Sequence, residues 1–293
     1  MKKSRIRKVK AFIWKYFSRV LPDEVYLKRK FRNQAGYPLN LKSPRTFNEK
    51  LQWLKIHDRK PEYTTMVDKY EVKKYVAGII GEEHIIPTLG VYNKFDDIDF
   101  EKLPSQFVLK CTHDSGGLAI CKDKSLFNIS DAKEVIRKSL GKNFFWEGRE
   151  WPYKNVKPRI IAEKYMVDES GEELKDYKFF CFGGTPKFFK IDYNRYIDHH
   201  ANYYTITGEL LPFDEVICPR DLSAKIETPE NLGQMIEIAK MLSKGIPFVR
   251  VDLYNINGKI YFGEMTFYPA TGMGAFEPQE WDYTLGSYIQ LPQ

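Results

Sequence analysis

The sequence predicts an α+β fold, with helices in the N-terminal third and antiparallel hairpins through most of the rest. Three observations carry this. Apolar residues recur at helical spacing as far as Val76, then come in short strand-length runs from Phe107 onward. Gly183-Gly184 and Asn257-Gly258 interrupt such runs where hairpin turns belong. The last hairpin, Phe248 to Thr266, also carries Arg250, Asp252, Glu264 and Thr266 at every second position. A chain of 293 residues suffices for two domains or one lobed domain, and 43% hydrophobic with 15% aromatic residues excludes a disordered polymer.

Residues 1–21 read as a basic helix with Ile6, Val9, Phe12, Ile13, Phe17 and Val20 on one stripe. Such a helix would suit an anionic membrane surface, and would equally suit packing on the protein body. A second helix spans roughly 23–34 and stops before Gly36-Tyr37-Pro38. Thr46 followed by Glu49 predicts a capping box opening a helix through about Asp58. Another covers Asp68 to Val76 and ends near Gly78. Ile85 to Tyr92 reads as a strand and its exit, and Asp96 to Asp99 as an acidic loop.

Strands Phe107–Lys110 and Leu118–Cys121 flank the polar loop Thr112–Gly117, and a helix capped by Ser130 comes next over 130–140. Arg159–Met166 is a strand leading to a turn at Asp168–Gly171. Lys175–Phe182 and Pro186–Tyr193 form the hairpin around Gly183-Gly184. Residues 229–245 make a helix that buries Leu232, Met235, Ile236, Ala239 and Leu242. The elements group into a helical N-terminal extension (1–35), an α/β unit (36–105), a small lobe (106–165) and a large lobe (166–293).

Loop length decides what the final hairpin can do. A two-residue Asn257-Gly258 turn would put Asp252 and Glu264 on opposite faces, because side chains alternate along a strand. A three-residue Ile256-Asn257-Gly258 turn, with Gly258 left-handed, puts Arg250, Asp252, Glu264 and Thr266 on one face. Val249, Val251, Leu253, Tyr261 and Gly263 then face the other way. We expect the three-residue turn. Two carboxylates, a guanidinium and a hydroxyl would converge, which suits a hard-metal site holding a phosphorylated ligand better than a structural ion-paired face.

The formal charge of +7 suggests acidic partners, but Lys2, Lys3, Arg5, Arg7, Lys8, Lys10, Lys15 and Arg19 all precede the first acid, Asp23. The remainder is close to neutral, so nucleic-acid binding gains no support. Cys111, Cys121, Cys181 and Cys218 lack the paired spacing of zinc or redox motifs, and reduced thiols in a cytoplasmic protein are expected. The basic N-terminal run has no apolar core or cleavage site of a signal peptide, and no stretch is apolar enough to span a bilayer.

Several segments carry candidate chemistry. The Thr112–Gly117 loop offers backbone N–H groups and paired glycines that could fold over phosphates, with Lys110 at its mouth. Taken alone, such a loop is more often only a turn. His113 reads as a loop residue rather than a general base. Glu163-Lys164-Tyr165 ends an apolar strand where backbone groups could read an adenine. Lys178, between Tyr177 and Phe179, is either a snorkelling edge lysine or a phosphate clamp. Asp192, Arg195, Asp198, His199, His200 and Asn202 suit recognition of a carboxylate or sugar. Zinc at His199-His200 fits poorly, since neighbours on an extended chain point apart.

Lys110 with the His113-Asp114-Ser115-Gly116-Gly117 loop, Glu163-Lys164-Tyr165, Asp176-Tyr177-Lys178, Arg250-x-Asp252 and Glu264-x-Thr266 together resemble the ATP-grasp superfamily. The segments from Ser43 to Trp53 and from Gly263 to Gly272 look like its TupA-like branch, found in bacterial cell-surface polysaccharide pathways such as capsule and exopolysaccharide synthesis. The resemblance covers about residues 36–282. It implies two α+β lobes that clasp ATP between antiparallel sheets. It also implies a ligase reaction, in which a carboxylate attacks the γ-phosphate and an amine captures the acylphosphate.

Carried onto this chain, the resemblance makes Lys110 and Lys178 phosphate ligands, covered by Ser115, Gly116 and Gly117. Glu163, Lys164 and Tyr165 would lie along adenine and ribose. Asp252, Glu264 and Thr266 would hold one or two magnesium ions, and Arg250 with Lys178 would act in catalysis. Thr266 departs from the pattern, which has Asn there. A hydroxyl is the weaker oxygen donor, which puts the second ion in question. Phosphoryl transfer needs charge neutralisation and alignment rather than a protein nucleophile, so the lack of a nucleophile–base triad is expected.

The implied substrates are an acidic sugar or polysaccharide intermediate, offering a uronic acid carboxyl, and an amine or amino acid. Arg195, His199 and His200 are the candidates for holding the acceptor. The basic N-terminus would keep the enzyme at the cytoplasmic face of the membrane. Three other readings compete: a glycosyltransferase using Asp97-x-Asp99, a sugar kinase sharing the ATP site, and a polysaccharide-binding protein without turnover. Asp97 and Asp99 sit in an acidic run that reads more simply as a solvated loop.

Overall fold

A computed structural model of the chain describes residues 18–168, 174–193, 199–224 and 228–292. Most of the expected basic helix 1–21, the turn after Asp168, and Arg195 lie outside the described residues. Among the described residues, no helix is long and apolar enough to cross a membrane.

Helices come first: α1 (Asp23–Ala35), α2 (Phe47–His57), α3 (Glu62–Val67) and α4 (Glu71–Ile80). Asp23 and Glu24 complement the N-terminal dipole of α1, and Gly36 ends it at a φ of 81°, a conformation open chiefly to glycine. α2 opens on the expected capping box. The Thr46 hydroxyl accepts the Glu49 N–H at 3.1 Å, and the Glu49 carboxylate accepts the Thr46 N–H at 3.2 Å. α4 runs past Gly78 to Gly81, because a glycine facing open space does not stop a helix whose Val72 and Val76 are buried.

The chain then alternates through β1 (Thr88–Tyr92), β2 (Phe107–Cys111), β3 (Leu118–Cys121), α5 (Ile129–Leu140), α6 (Phe145–Gly148) and β4 (Ile160–Lys164). These strands form an antiparallel sheet in the order β1-β4-β2-β3. Phe107, Leu109, Cys111 and Ala162 pack beneath it with Ile136 of α5. Alternation leaves Val108, Lys110, Leu118, Ile120 and Glu163 on the opposite face. The cap of α5 is Asn128 rather than Ser130. Its side chain accepts the N–H groups of Ser130 and Asp131 at 3.0 and 3.2 Å, and Ser130 already lies inside the helix.

The remainder comprises β5 (Asp176–Phe182), β6 (Thr185–Tyr193), β7 (His200–Thr205), β8 (Asp214–Glu215), α7 (Leu232–Ser243), β9 (Phe248–Ile256), β10 (Lys259–Thr266), β11 (Phe276–Glu277) and α8 (Glu280–Tyr288). A five-stranded antiparallel sheet runs β10-β9-β5-β6-β7, and β8 pairs with β11. Phe179, Phe189, Val251 and Leu253 of this sheet share one core with Met235, Ala239 and Leu242 of α7. On α7 Leu232 and Ile238 complete this face, and Ile236, expected there, is only half-buried. The same core takes in Leu51, Leu54, Met66, Val67, Val72 and Val76. Residues 36–105 thus divide: their helices join the large-sheet core, and β1 joins the small sheet.

The hairpins of the large sheet correct one expectation. Lys259 pairs with Ile256, so the turn is the two-residue Asn257-Gly258, with φ of 51° and 79°. Both residues tolerate positive φ, and this tight turn matches the twist of the strands. Alternation alone would then part Asp252 from Glu264. A bulge prevents it. The register slips between Phe262 and Glu264, leaving Gly263 as an extra residue, and Glu264 comes to face Asp252 while Thr266 faces Arg250. The β5–β6 hairpin repeats the device. Its turn is Gly183-Gly184, and a slip at Lys187 sets Lys178 opposite Lys190.

Candidate active site

On the large sheet, Arg250 grips Asp252 with two bonds, Nε to Oδ1 at 2.7 Å and Nη2 to Oδ2 at 2.6 Å. The same Nη2 donates to Glu264 Oε1 at 3.1 Å and to Thr266 Oγ1 at 3.0 Å. The four residues that the sequence singled out therefore do converge. Burial opposes the Arg250 charge, but Asp252 and then Glu264 outweigh it and raise its affinity for the proton. Burial likewise pushes Asp252 up, while Arg250 and Lys178 hold it below the ordinary carboxylate range. The Glu264 side chain stays 46% exposed.

Lys178 is no edge lysine. It lies on the central strand β5, directly opposite Asp252, and is buried among three carboxylates. It contacts Asp176, and reaches Asp252 at 3.1 Å and Asp192 at 3.5 Å. Lys190 faces it from the neighbouring strand β6, a like-charge pair that would repel in isolation. Asp192 lies 3.2 Å from Lys190, and Glu215 lies 3.4 Å from it. Against the effect of burial, Glu215 and Asp192 hold Lys190 firmly protonated.

The small sheet presents a second ionic group across the cleft. Glu163 is clamped between Lys73 at 2.5 Å and Lys110 at 2.7 Å. Burial would raise the Glu163 pKa, but Lys110 and Lys73 lower it. Lys110 is raised in turn, since Glu163 outweighs its own burial.

Between β2 and β3 the Thr112–Gly117 loop is anchored from below. The Asp114 carboxylate accepts the Gly117 N–H at 3.1 Å and the Ser139 hydroxyl of α5, and Lys69 donates to the Asp114 carbonyl. A Cβ at Gly117 would lie 2.5 Å from Ser139 Oγ, so only glycine fits. His113 is not an open loop residue. It is buried under the loop, with Nε2 3.2 Å from the Ser139 carbonyl. Ser115 and Gly116 are exposed.

These groups line a cleft of about 390 Å³ between the two sheets, including Lys110, Ser115, Gly117, Glu163, Lys178, Lys190, Arg250 and Glu264. It adjoins a slot of about 200 Å³ formed by Ile86, Val108, Leu118, Ile120, Lys164, Tyr165 and Tyr254. Leu118 and Ile120 are 42% and 38% exposed there, apolar surface that a flat aromatic ring would cover. Of the acceptor candidates, His199 lines the cleft and its Nε2 lies 3.2 Å from Asp192. His200 opens β7, half-buried, and Arg195 is outside the described residues.

Two metal arrangements can be weighed. Asp252, Glu264 and Thr266 offer oxygen donors alone, converging on a single cationic nitrogen, a donor set that fits a hard divalent ion such as magnesium. The donor atoms of Asp192, His199 and Cys218 lie within 4.8 Å of one another. That group brings an imidazole and a thiol, softer donors than magnesium takes. Asp97 and Asp99 are exposed, and each accepts a backbone N–H at a turn, that of Lys94 at 3.2 Å and that of Glu101 at 3.1 Å.

The model of the TupA-like ATP-grasp family matches residues 49–290, spanning both sheets and the cleft between them. The chain belongs to that family. No curated protein matches it. Among solved structures, D-alanine–D-alanine ligase from Bacillus anthracis with ATP aligns at 16% identity and a TM-score of 0.40, covering 69% of this chain and 54% of that one. A RimK-domain ATP-grasp protein from Sphaerobacter thermophilus aligns at 10% identity and 0.41, covering 78% and 69%. VanG D-Ala:D-Ser ligase from Enterococcus faecalis aligns at 15% and 0.41, covering 69% and 52%. The chain thus matches about half the length of the two D-alanine-type ligases.

Several cleft residues of this TupA-like ATP-grasp chain escape motif reading. Lys73 sits in an ordinary-looking helical stretch, and only folding brings it to Glu163. Lys190 left one signal, its two-residue spacing from Asp192 on a strand, but Lys187 shifts the register that makes it a neighbour of Lys178. The apolar slot residues Ile86 and Tyr254 carry no chemical signature at all.

Proposed function

We propose that this chain is an ATP-dependent carboxylate–amine ligase that modifies an acidic cell-surface polysaccharide or its precursor. One observation carries the reading. Arg250 and Glu264, with Asp252 and Thr266 bonded to Arg250, face the Lys110–Glu163–Lys73 group across a cleft that opens into an apolar slot. Adenine occupies the slot beside Lys164 and Tyr165. Ser115, Gly116 and Gly117 cover the phosphates, with Lys110 and Lys178 neutralising their charge. Magnesium, held by Asp252, Glu264 and Thr266, supplies further neutralisation of the triphosphate.

A carboxylate oxygen of the acceptor attacks the γ-phosphorus, the bond to the β,γ-bridging oxygen breaks, and ADP leaves. The amine nitrogen then attacks the acylphosphate carbonyl, loses a proton, and expels phosphate to leave an amide. Arg250 stabilises the negative charge that develops in both steps. Arg195, His199 and His200 hold the acceptor. The protein acts in the cytoplasm, with residues 1–21 touching the inner membrane face.

The test uses purified protein, ATP, magnesium, a panel of uronic acids and hydroxylamine in place of the amine. Hydroxamate formed together with ADP is the expected result. ADP with a phosphorylated sugar would mean a kinase, and the absence of both products would overturn the ligase reading.

A further inference from the structure

The α2 segment from Thr46 to Lys55 contains buried polar groups that the cleft does not use. Asn48, Gln52 and Lys55 are 3%, 0% and 0% exposed, and their spacing places them on one face of the helix. All of them donate to carbonyls just beyond β10. Gln52 Nε2 reaches Gly272 O at 2.6 Å, Lys55 Nζ reaches Thr271 O at 2.7 Å, and Asn48 Nδ2 reaches Gly274 O at 2.7 Å. From the other side, the Thr271 hydroxyl donates to buried Glu150 at 2.6 Å.

The gripped backbone is unusual. Ala270 and Thr271 have φ of 47° and 54°, a left-handed conformation that a β-branched residue rarely adopts. Such backbone persists only where its surroundings over-determine it, and it gathers at ligand clamps. Burial pushes Lys55 down to about 7, opposed by Glu150 and reinforced by Lys30, and burial raises Glu150 against the pull of Lys55. Burying that much polarity is costly for a turn with no task. Only Phe267 and Tyr268 separate the turn from Thr266, and Lys55 Nζ lies 5.3 Å from the centre of the Tyr268 ring.

We propose that Asn48, Gln52, Lys55 and Glu150 are positioning residues that hold the Pro269–Gly272 turn left-handed and thereby set Glu264 and Thr266 for the metal-bound nucleotide. This rests on the reading of the cleft as a magnesium–ATP site. Calorimetric titration with ATP, at limiting and at saturating magnesium, tests it on Thr271→Ala, Thr271→Ser and Lys55→Met, with melting temperatures measured alongside.

Thr271→Ala and Lys55→Met should weaken ATP binding at limiting magnesium by about 10-fold, the scale of lost support for a metal ligand. Saturating magnesium should restore it, and Thr271→Ser should behave like the parent. Unchanged magnesium dependence in Thr271→Ala, or an equal loss at every magnesium concentration, would overturn the proposal. Should Lys55→Met fail to fold, Thr271→Ala decides alone, because it removes only a hydroxyl and a methyl group. If the parent protein itself shows no magnesium-dependent ATP binding, the site reading fails first.

Discussion

Glu163 is a buried charge stabilised by its two lysine neighbours, and losing either lysine would expose the cost of its burial. Its folded pKa lies below the ordinary value of 4.5, so the unfolded chain binds its proton first as pH falls. The stabilisation it supplies is complete above about pH 4.5 and is lost as pH drops through the folded value. Lys73→Met should therefore lower stability by about 2 kcal/mol at neutral pH, the worth of a charge-assisted bond. The gap between variant and parent should narrow below about pH 4.5, because the protonated carboxyl no longer needs Lys73. Urea melts at neutral and acid pH measure this, and a gap independent of pH would contradict it. Thr266 is a second residue-scale question. An amide carbonyl is a stronger magnesium donor than a hydroxyl, so Thr266→Asn should reduce the magnesium required for half-maximal ADP release. An increase would show that the hydroxyl serves Arg250 instead, to which it is bonded at 3.0 Å.

Among elements, the β9–β10 hairpin does most to build the site. Its turn sequence favours the tightest closure, and that closure by itself would place one carboxylate in the core. The Gly263 bulge resolves the conflict. A Cβ there would stand 3.0 Å from the Asp252 carbonyl oxygen and 3.2 Å from the Tyr254 ring. Gly263→Ala should cost about 1–3 kcal/mol as overpacking. It should also lower turnover by an order of magnitude or more, since Asp252 and Glu264 shift relative to each other. Thermal melts with the hydroxamate assay separate the two effects, and turnover that falls only with the folded fraction would refute a positioning role for the bulge. The same logic explains Lys187, whose extra residue on β6 turns Lys190 toward the cleft.

At the scale of the whole molecule, the cleft lies between sheets that belong to separate cores. Helices from the N-terminal half cross over to the large sheet, so the small sheet is joined to it by chain passing in both directions. Such an arrangement lets two sheet faces meet over a ligand without a shared apolar seam between them. The faces also balance in charge. Lys69, Lys73, Lys110, Lys178, Lys190 and Arg250 are set against Asp114, Glu163, Asp176, Asp192 and Glu264, with Asp252 buried behind them against Arg250 and Lys178. A self-neutralised cleft offers little net attraction to a bare tetra-anion and more to one already carrying a divalent cation, which agrees with the proposed magnesium requirement.

Local chemistry was legible in the chain before any folding. Capping at Thr46 and Glu49, the glycine loop after Lys110, and the residue types of the ATP-grasp pattern depend on near neighbours and side-chain identity, which the sequence states outright. What only tertiary structure decided was orientation. Side-chain facing in a sheet changes with every inserted residue, and the bulges at Gly263 and Lys187, each within a hairpin of consecutive strands, are settled by which face packs on the shared core. Lys73 and Glu163, and Lys55 and Thr271, become partners for the same reason: burial, not spacing, brings them together.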